Sequence, residues 1–135
     1  MLWTLLACLL FCGCVQTTYK VDTSKDMLLP DERKSIIYFI RGKHMIGSGV
    51  DYDVKDGTEK IGTLKNGSYF IYKILPGKHT FVVPAFSNAS LTVDIDYPKT
   101  YFIEFSVTMF GTNLEEIEEL VAIERMEKLI RIKHK

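Results

Sequence analysis

The chain has 135 residues, 47% of them hydrophobic, and its seventeen Lys and Arg balance seventeen Asp and Glu. That balance excludes the broad basic face that phosphate-backbone binding demands, so no nucleic-acid partner is expected. Cys8, Cys12 and Cys14 are the three cysteines of the chain, which excludes a disulfide, a thiol nucleophile and a Cys-based zinc site from everything after residue 14.

Residues 1–13 form an apolar run closed by Phe11-Cys12-Gly13-Cys14. Gly13 is the small residue that lipoprotein processing requires before the modified cysteine, although Phe11 stands where Leu is usual and no Lys or Arg precedes the run. Leu5-Leu6-Ala7-Cys8 fits that box more closely but leaves too short an apolar segment ahead of it. Residues 1–13 therefore read as a lipoprotein signal peptide and Cys14 as the lipid (palmitate) attachment site that holds the chain on a membrane surface. Residues 1–15 fall short of the ~20 apolar residues that span a bilayer, which disfavours an uncleaved anchor helix. Val15 is not the Asp that retains lipoproteins at the inner membrane of enteric-type bacteria. The expected location is the bacterial cell envelope, at the periplasmic face of the outer membrane in a two-membrane host.

Residues 14–34 read as the acylated cysteine and a flexible tether: polar residues dominate and no apolar period appears. Residues 35–135 read as a single β-sandwich domain. Ile36, Ile37, Tyr38, Phe39 and Ile40 make a β-branched and aromatic run of the kind buried on both faces, which predicts a central strand. Residues 50–55 alternate Val50, Tyr52 and Val54 with Asp51, Asp53 and Lys55. Asp56-Gly57 and Asn66-Gly67 predict type I′ hairpins linking this strand to strands at 58–64 and 68–74 in a three-stranded meander. Pro76-Gly77 turns the chain into a strand at 78–83 that Pro84 ends, and alternating strands follow at 90–96 and 100–109. This pattern predicts an all-β domain: about seven antiparallel strands in two facing sheets.

The C-terminal segment carries Glu115, Glu116, Glu118 and Glu119 at its start and Arg125, Lys128, Arg131 and Lys133 at its end, an order that complements a helix dipole. Asn113 is available as a cap. A short helix is expected over at least residues 125–130, packed through Met126, Leu129 and Ile130, with residues 120–123 open to either strand or helix.

Ser35-Ile36-Ile37-Tyr38, Gly47-Ser48, Lys60 to Leu64 leading into Asn66 to Phe70, Leu75 to His79, and Lys99 to Ile103 together resemble the bacterial family called domain of unknown function 2846. The resemblance covers residues 35–129. It implies a prealbumin-like or carboxypeptidase-regulatory-like sandwich, often borne by a lipoprotein, and supplies no catalytic residues. The glycine expected after the last long strand is replaced by the Glu-rich stretch 113–119.

His44, His79 and His134 lack ligand spacing, so no metal is expected. Asp51, Asp53, Asp56 and Glu59 lack the twelve-position calcium pattern. Gly47-Ser48-Gly49 is not a nucleophile elbow, and no cofactor motif is present. Tyr52, Tyr69 and Tyr72 are the candidates for an aromatic binding platform, set against the ordinary preference of tyrosine for strands. The functional expectation is a non-enzymatic binding or assembly module with an envelope protein partner. The alternative is an envelope hydrolase acting on peptidoglycan or glycan, which would need a carboxylate pair or a base and nucleophile converging in space.

Overall fold

A computed structural model describes residues 30, 33–96 and 98–134. The expected signal peptide, Cys14 and nearly all of the expected tether lie outside the described residues. Every residue of β1 (Ser35–Arg41) is buried, so this strand is apolar on both faces because both faces are covered. Ile37 and Phe39 point into the core shared with a second sheet, whereas Ile36, Tyr38 and Ile40 belong to a separate cluster beneath a helix.

The remaining strands are β2 (Tyr52–Asp56), β3 (Glu59–Leu64), β4 (Ser68–Ile74), β5 (Gly77–Val83), β6 (Ala89–Ile95), β7 (Thr100–Thr108), β8 (Gly111–Glu116) and β9 (Ile130–Arg131), with α1 (Glu119–Met126) between the last two. One sheet has the order β8-β7-β1-β4-β9 and the other β3-β2-β5-β6. Phe70, Phe81, Phe105, Leu64, Val54 and Ile95 fill the space between them, each nearly or wholly buried. The architecture is an all-β sandwich with one short helix laid across an outer face.

Three expectations are corrected. The described residues hold nine strands rather than about seven, and the pairing is mixed: β1 runs parallel to β7, and β4 parallel to β9. The expected meander is broken, because β2 and β3 pair as a hairpin whereas Asn66-Gly67 carries the chain across to the other sheet, where β4 lies antiparallel to β1. Neither turn is type I′, since that geometry needs positive φ at two successive residues. Here Gly57 (φ 61°) and Gly67 (φ 69°) are positive, and no non-glycine residue among the described ones is.

The C-terminal expectation also shifts. Residues 111–116 form β8, antiparallel to β7, with Phe105 opposite Leu114 and Ser106 opposite Asn113. Asn113 thus sits in a strand rather than at a cap, and Glu118 precedes the helix without a side-chain capping bond. Gly111 opens β8, and its φ of 138° lets the β7–β8 hairpin close. The helix lies earlier than 125–130, yet Met126 and Leu129 pack on the outer cluster with Ala122, as their spacing predicts. Ile130 instead joins β9 and is partly exposed. Residues 111–116 form a strand despite the helical spacing because β7 offers a ladder edge there.

Glu104 explains how α1 is held. It lies opposite Ile40 on the helix-covered face of β7, is nearly buried, and accepts a hydrogen bond from the Arg125 guanidinium. Arg125→Ala removes the cation facing that carboxylate. The expected loss is about 1–3 kcal/mol in urea unfolding, below the value for a fully buried pair because Arg125 is half exposed. Glu104→Gln, which keeps the shape and removes the charge, is expected to lose less.

Candidate functional site

The three candidate tyrosines are not brought together. Tyr52, on β2, packs against Phe105 with ring centroids 4.8 Å apart and lies under the Arg41 guanidinium at 4.8 Å. Tyr69 belongs to the cluster beneath α1, where its ring tilts against Tyr38. Tyr72 sits three residues further along β4, so the period of two turns it to the opposite face, against the inter-sheet core. Burial, reinforced by the Asp56 and Glu59 carboxylates, raises the pKa of Tyr72 and keeps its hydroxyl neutral.

Asp56 and His79 form the most enzyme-like pair. His79 Nδ1 lies 2.9 Å from Asp56 Oδ2, and its Nε2 lies 2.9 Å from the Leu75 carbonyl oxygen. A catalytic dyad would aim the second nitrogen at a hydroxyl or thiol. Here it faces a backbone acceptor, and the pair ties the β2–β3 hairpin to the turn before β5. Near the start of α1 an open cleft is lined by Lys99, Phe102, Glu116, Glu118 and Glu119 among others. Among the described residues no three His, Cys, Asp or Glu side chains converge as a metal site. None of the helices described is long and apolar enough to cross a membrane.

His134 closes over β3 instead. Its Nε2 accepts the Thr63 backbone N–H at 3.2 Å and its ring meets Phe70 edge-on at 4.9 Å. Accepting that bond requires the proton on Nδ1. Desolvation, then Lys60, lowers the His134 pKa, with Asp53 acting the other way. The unfolded chain therefore takes up a proton at a higher pH than the folded one. This contribution to stability is fully present above the ordinary histidine value of about 6.5 and is lost as pH falls below it. The Thr63 amide is expected to exchange faster in folded protein as pH drops from about 7.5 to about 5, relative to the intrinsic rate, and His134→Gln is expected to remove that dependence.

At the end of the sandwich away from the Asp56–His79 pair, buried Arg41 organises residues 42–50. Its Nη1 donates to the Val50 and Leu64 carbonyls at 2.7 and 2.9 Å, and its Nη2 to the Gly47 carbonyl at 2.6 Å. Burial lowers its pKa, with Tyr52 and Asp51 acting the other way. The loop is further fixed by Ser48 N–H to the Met45 carbonyl, Val50 N–H to the Gly47 carbonyl, and His44 N–H to Asn66 Oδ1. A Cβ on Gly47 would stand 3.2 Å from Val107 Cγ1, which puts this loop beside the β7–β8 hairpin. That hairpin in turn touches the β5–β6 loop, where Thr112 Oγ1 donates to the Ser87 carbonyl at 2.6 Å.

These three adjoining loops hold large apolar side chains out into solvent. Met45 is 92% exposed, Met109 78% and Phe110 94%, and Phe86, Ile46 and Val50 are exposed beside them. The loops are closed by their own bonds: Ala85 N–H to Asn88 Oδ1, Phe110 N–H to Thr108 Oγ1, and Thr108 Oγ1 to the Gly111 carbonyl. Clustering of exposed apolar residues on one end of a domain is a feature that interaction surfaces share. Sequence reasoning missed this surface. Its signal was large apolar residues inside turn-forming segments such as Pro84-Ala85-Phe86-Ser87-Asn88, where polar residues are the norm.

Fold and surface together define a small β-sandwich with a pre-formed apolar loop end and, among the described residues, no group of three His, Cys, Asp or Glu placed to hold a metal. Over residues 31–117 the chain matches the family described as "Protein of unknown function (DUF2846)", and it belongs to that family. No match is found among curated proteins or among solved structures.

Proposed function

We propose that this chain is a bacterial envelope lipoprotein, anchored by a lipid on Cys14, whose sandwich is a non-enzymatic binding or assembly module. The observation that carries the binding role is the apolar loop end, where Met45, Phe86, Met109 and Phe110 stand exposed on hydrogen-bonded turns. Rigid turns present such side chains with little ordering entropy left to lose on binding. The non-enzymatic role is supported by His79, whose second nitrogen faces the Leu75 carbonyl rather than a nucleophile. Placement at the periplasmic face of the outer membrane, in a two-membrane host, rests on Val15 following the modified cysteine.

Two measurements test this reading. Metabolic labelling with a clickable palmitate analogue is expected to mark the wild-type chain and not Cys14→Ser, and membrane retention is expected to fall with the label. If label and retention both persist in Cys14→Ser, the anchor assignment is wrong. A photo-crosslinking residue at Phe110 is expected to give discrete adducts in cells, and one at Leu75, at the opposite end, is not. Equal yields at both positions would remove the loop end as the binding surface.

A further inference from the structure

We infer that the apolar loop end is a membrane-docking surface, which inserts Phe86, Met109 and Phe110, flanked by Met45 and Ile46, into the interfacial layer of an anionic bilayer. This deepens the binding-module reading and rests on it. Four observations favour lipid as the occupant.

The first is charge. Residues 42–50, 84–88 and 108–113 contain no Asp or Glu, although the chain has seventeen, and their titratable residues are Lys43 and His44. The nearest flanking acid, Asp51, is paired with Lys65 at 3.4 Å. The opposite end is acidic at the start of α1, with Glu116, Glu118 and Glu119. Loop tips without carboxylates meet an anionic headgroup layer with little repulsion, and cations beside them are attracted.

The second is shape. The exposed side chains come from three separate turn segments, at 45–46, at 86, and at 109–110 between β7 and β8. Projecting tips match a fluid layer that closes around each of them, as it does around the apolar face of an interfacial helix. The third is backbone satisfaction. Ser48, Val50, Ala85 and Phe110 N–H groups all have partners within the loops, so these four donors are not stranded when the tips enter a poorly hydrated layer.

The fourth is reach. Ser35 lies opposite Ile74 at the far end of β1, whereas the loop end begins past Arg41. The nine residues of β7 set the height of the sandwich at about 30 Å. The 20 residues from 15 to 34 extend to at most ~70 Å, so a chain held at Cys14 can turn its loop end to the same bilayer.

Tryptophan depth measurement on the full chain tests the inference. Trp3 is the single tryptophan, so Trp3→Phe supplies a silent background for Phe110→Trp, Phe86→Trp and, at the opposite end, Leu75→Trp. Each is reconstituted into vesicles of phosphatidylglycerol and phosphatidylethanolamine with or without brominated acyl chains. Quenching and a blue shift are expected to be several-fold larger at positions 110 and 86 than at 75. Equal quenching at all three positions, or none at 110, overturns the inference. A blue shift at 110 that grows with protein concentration and ignores bromination also overturns it, in favour of a second copy of the chain. A crosslink from position 110 to a protein in cells, without lipid quenching, overturns it in favour of a protein partner and leaves the binding-module reading standing. Failure of the anchor reading shows separately, as undiminished palmitate labelling in Cys14→Ser.

Discussion

Arg41→Met is expected to lower the free energy of unfolding by about 2–4 kcal/mol, measured as a shift in urea midpoint at unchanged slope. The guanidinium satisfies the Gly47, Val50 and Leu64 carbonyls at once, and the Leu64 bond is buried. Methionine fills a similar volume and returns none of these donors, so partly buried acceptors are left unpaired, at about 1–3 kcal/mol for each fully buried one. The stacking of the guanidinium on Tyr52 is lost as well. Amide exchange at Ser48 and Val50 is expected to accelerate more than exchange in β4, because the loop loses its tie before the sheet does. Arg41→Lys is expected to recover only part of the stability, since a compact ammonium does not reproduce a planar fork that spans carbonyls on two chain segments. The same substitution bears on function: with the loop loosened, Met45 and Ile46 are no longer held beside the β7–β8 hairpin, and quenching at a tryptophan placed there should weaken.

Phe70→Ala is expected to cost about 3–5 kcal/mol by the same measurement. The Phe70 ring stacks on Phe39 at 5.1 Å, meets His134 edge-on, and crosses the inter-sheet space to lie on Gly62 of β3. Gly62 is glycine because of that ring: a Cβ there would stand 2.5 Å from Phe70 Cζ. Gly62→Ala in the wild-type background therefore forces ring or strand to move, an overpacking penalty of about 1–3 kcal/mol. In the Phe70→Ala background the space is vacated, so Gly62→Ala is expected to be nearly neutral. The two losses should then fall short of additive by most of the Gly62 penalty. Full additivity would mean that the two strands do not meet as described.

Much of the strand content was legible because alternation is a local property. Ser90-Leu91-Thr92-Val93 declares its buried face whatever it packs against, whereas Tyr101 to Phe105 alternates like a half-buried strand and is buried on both faces because β7 lies between the inter-sheet core and α1. The tyrosine platform shows the limit of type-based reasoning. Tyr69 and Tyr72 are separated by an odd number of positions on β4, so they occupy opposite faces, and no sheet surface can present both. Arg41 reads in sequence as the polar end of an apolar strand. Its burial follows from carbonyls at Gly47, Val50 and Leu64 that only the folded loop brings within reach.

By itself the sequence determined that this is a β-rich domain, that residues 36–40 are buried on both faces, where the chain turns ahead of β5, and which family it resembles. Those properties depend on side-chain period and on the φ tolerance of glycine, both set by near neighbours. Only the tertiary structure decided which strand each one meets. Asn66-Gly67 is compatible with a hairpin, yet the chain crosses there to the second layer; β7 returns parallel to β1; and residues 111–116 become a strand because β7 presents an open ladder beside them. The apolar loop end is of the same kind. Residues 45, 86 and 109 are far apart in the chain, and they adjoin because strands from both sheets end on the same side of the sandwich, a placement that long-range packing sets and local pattern does not encode.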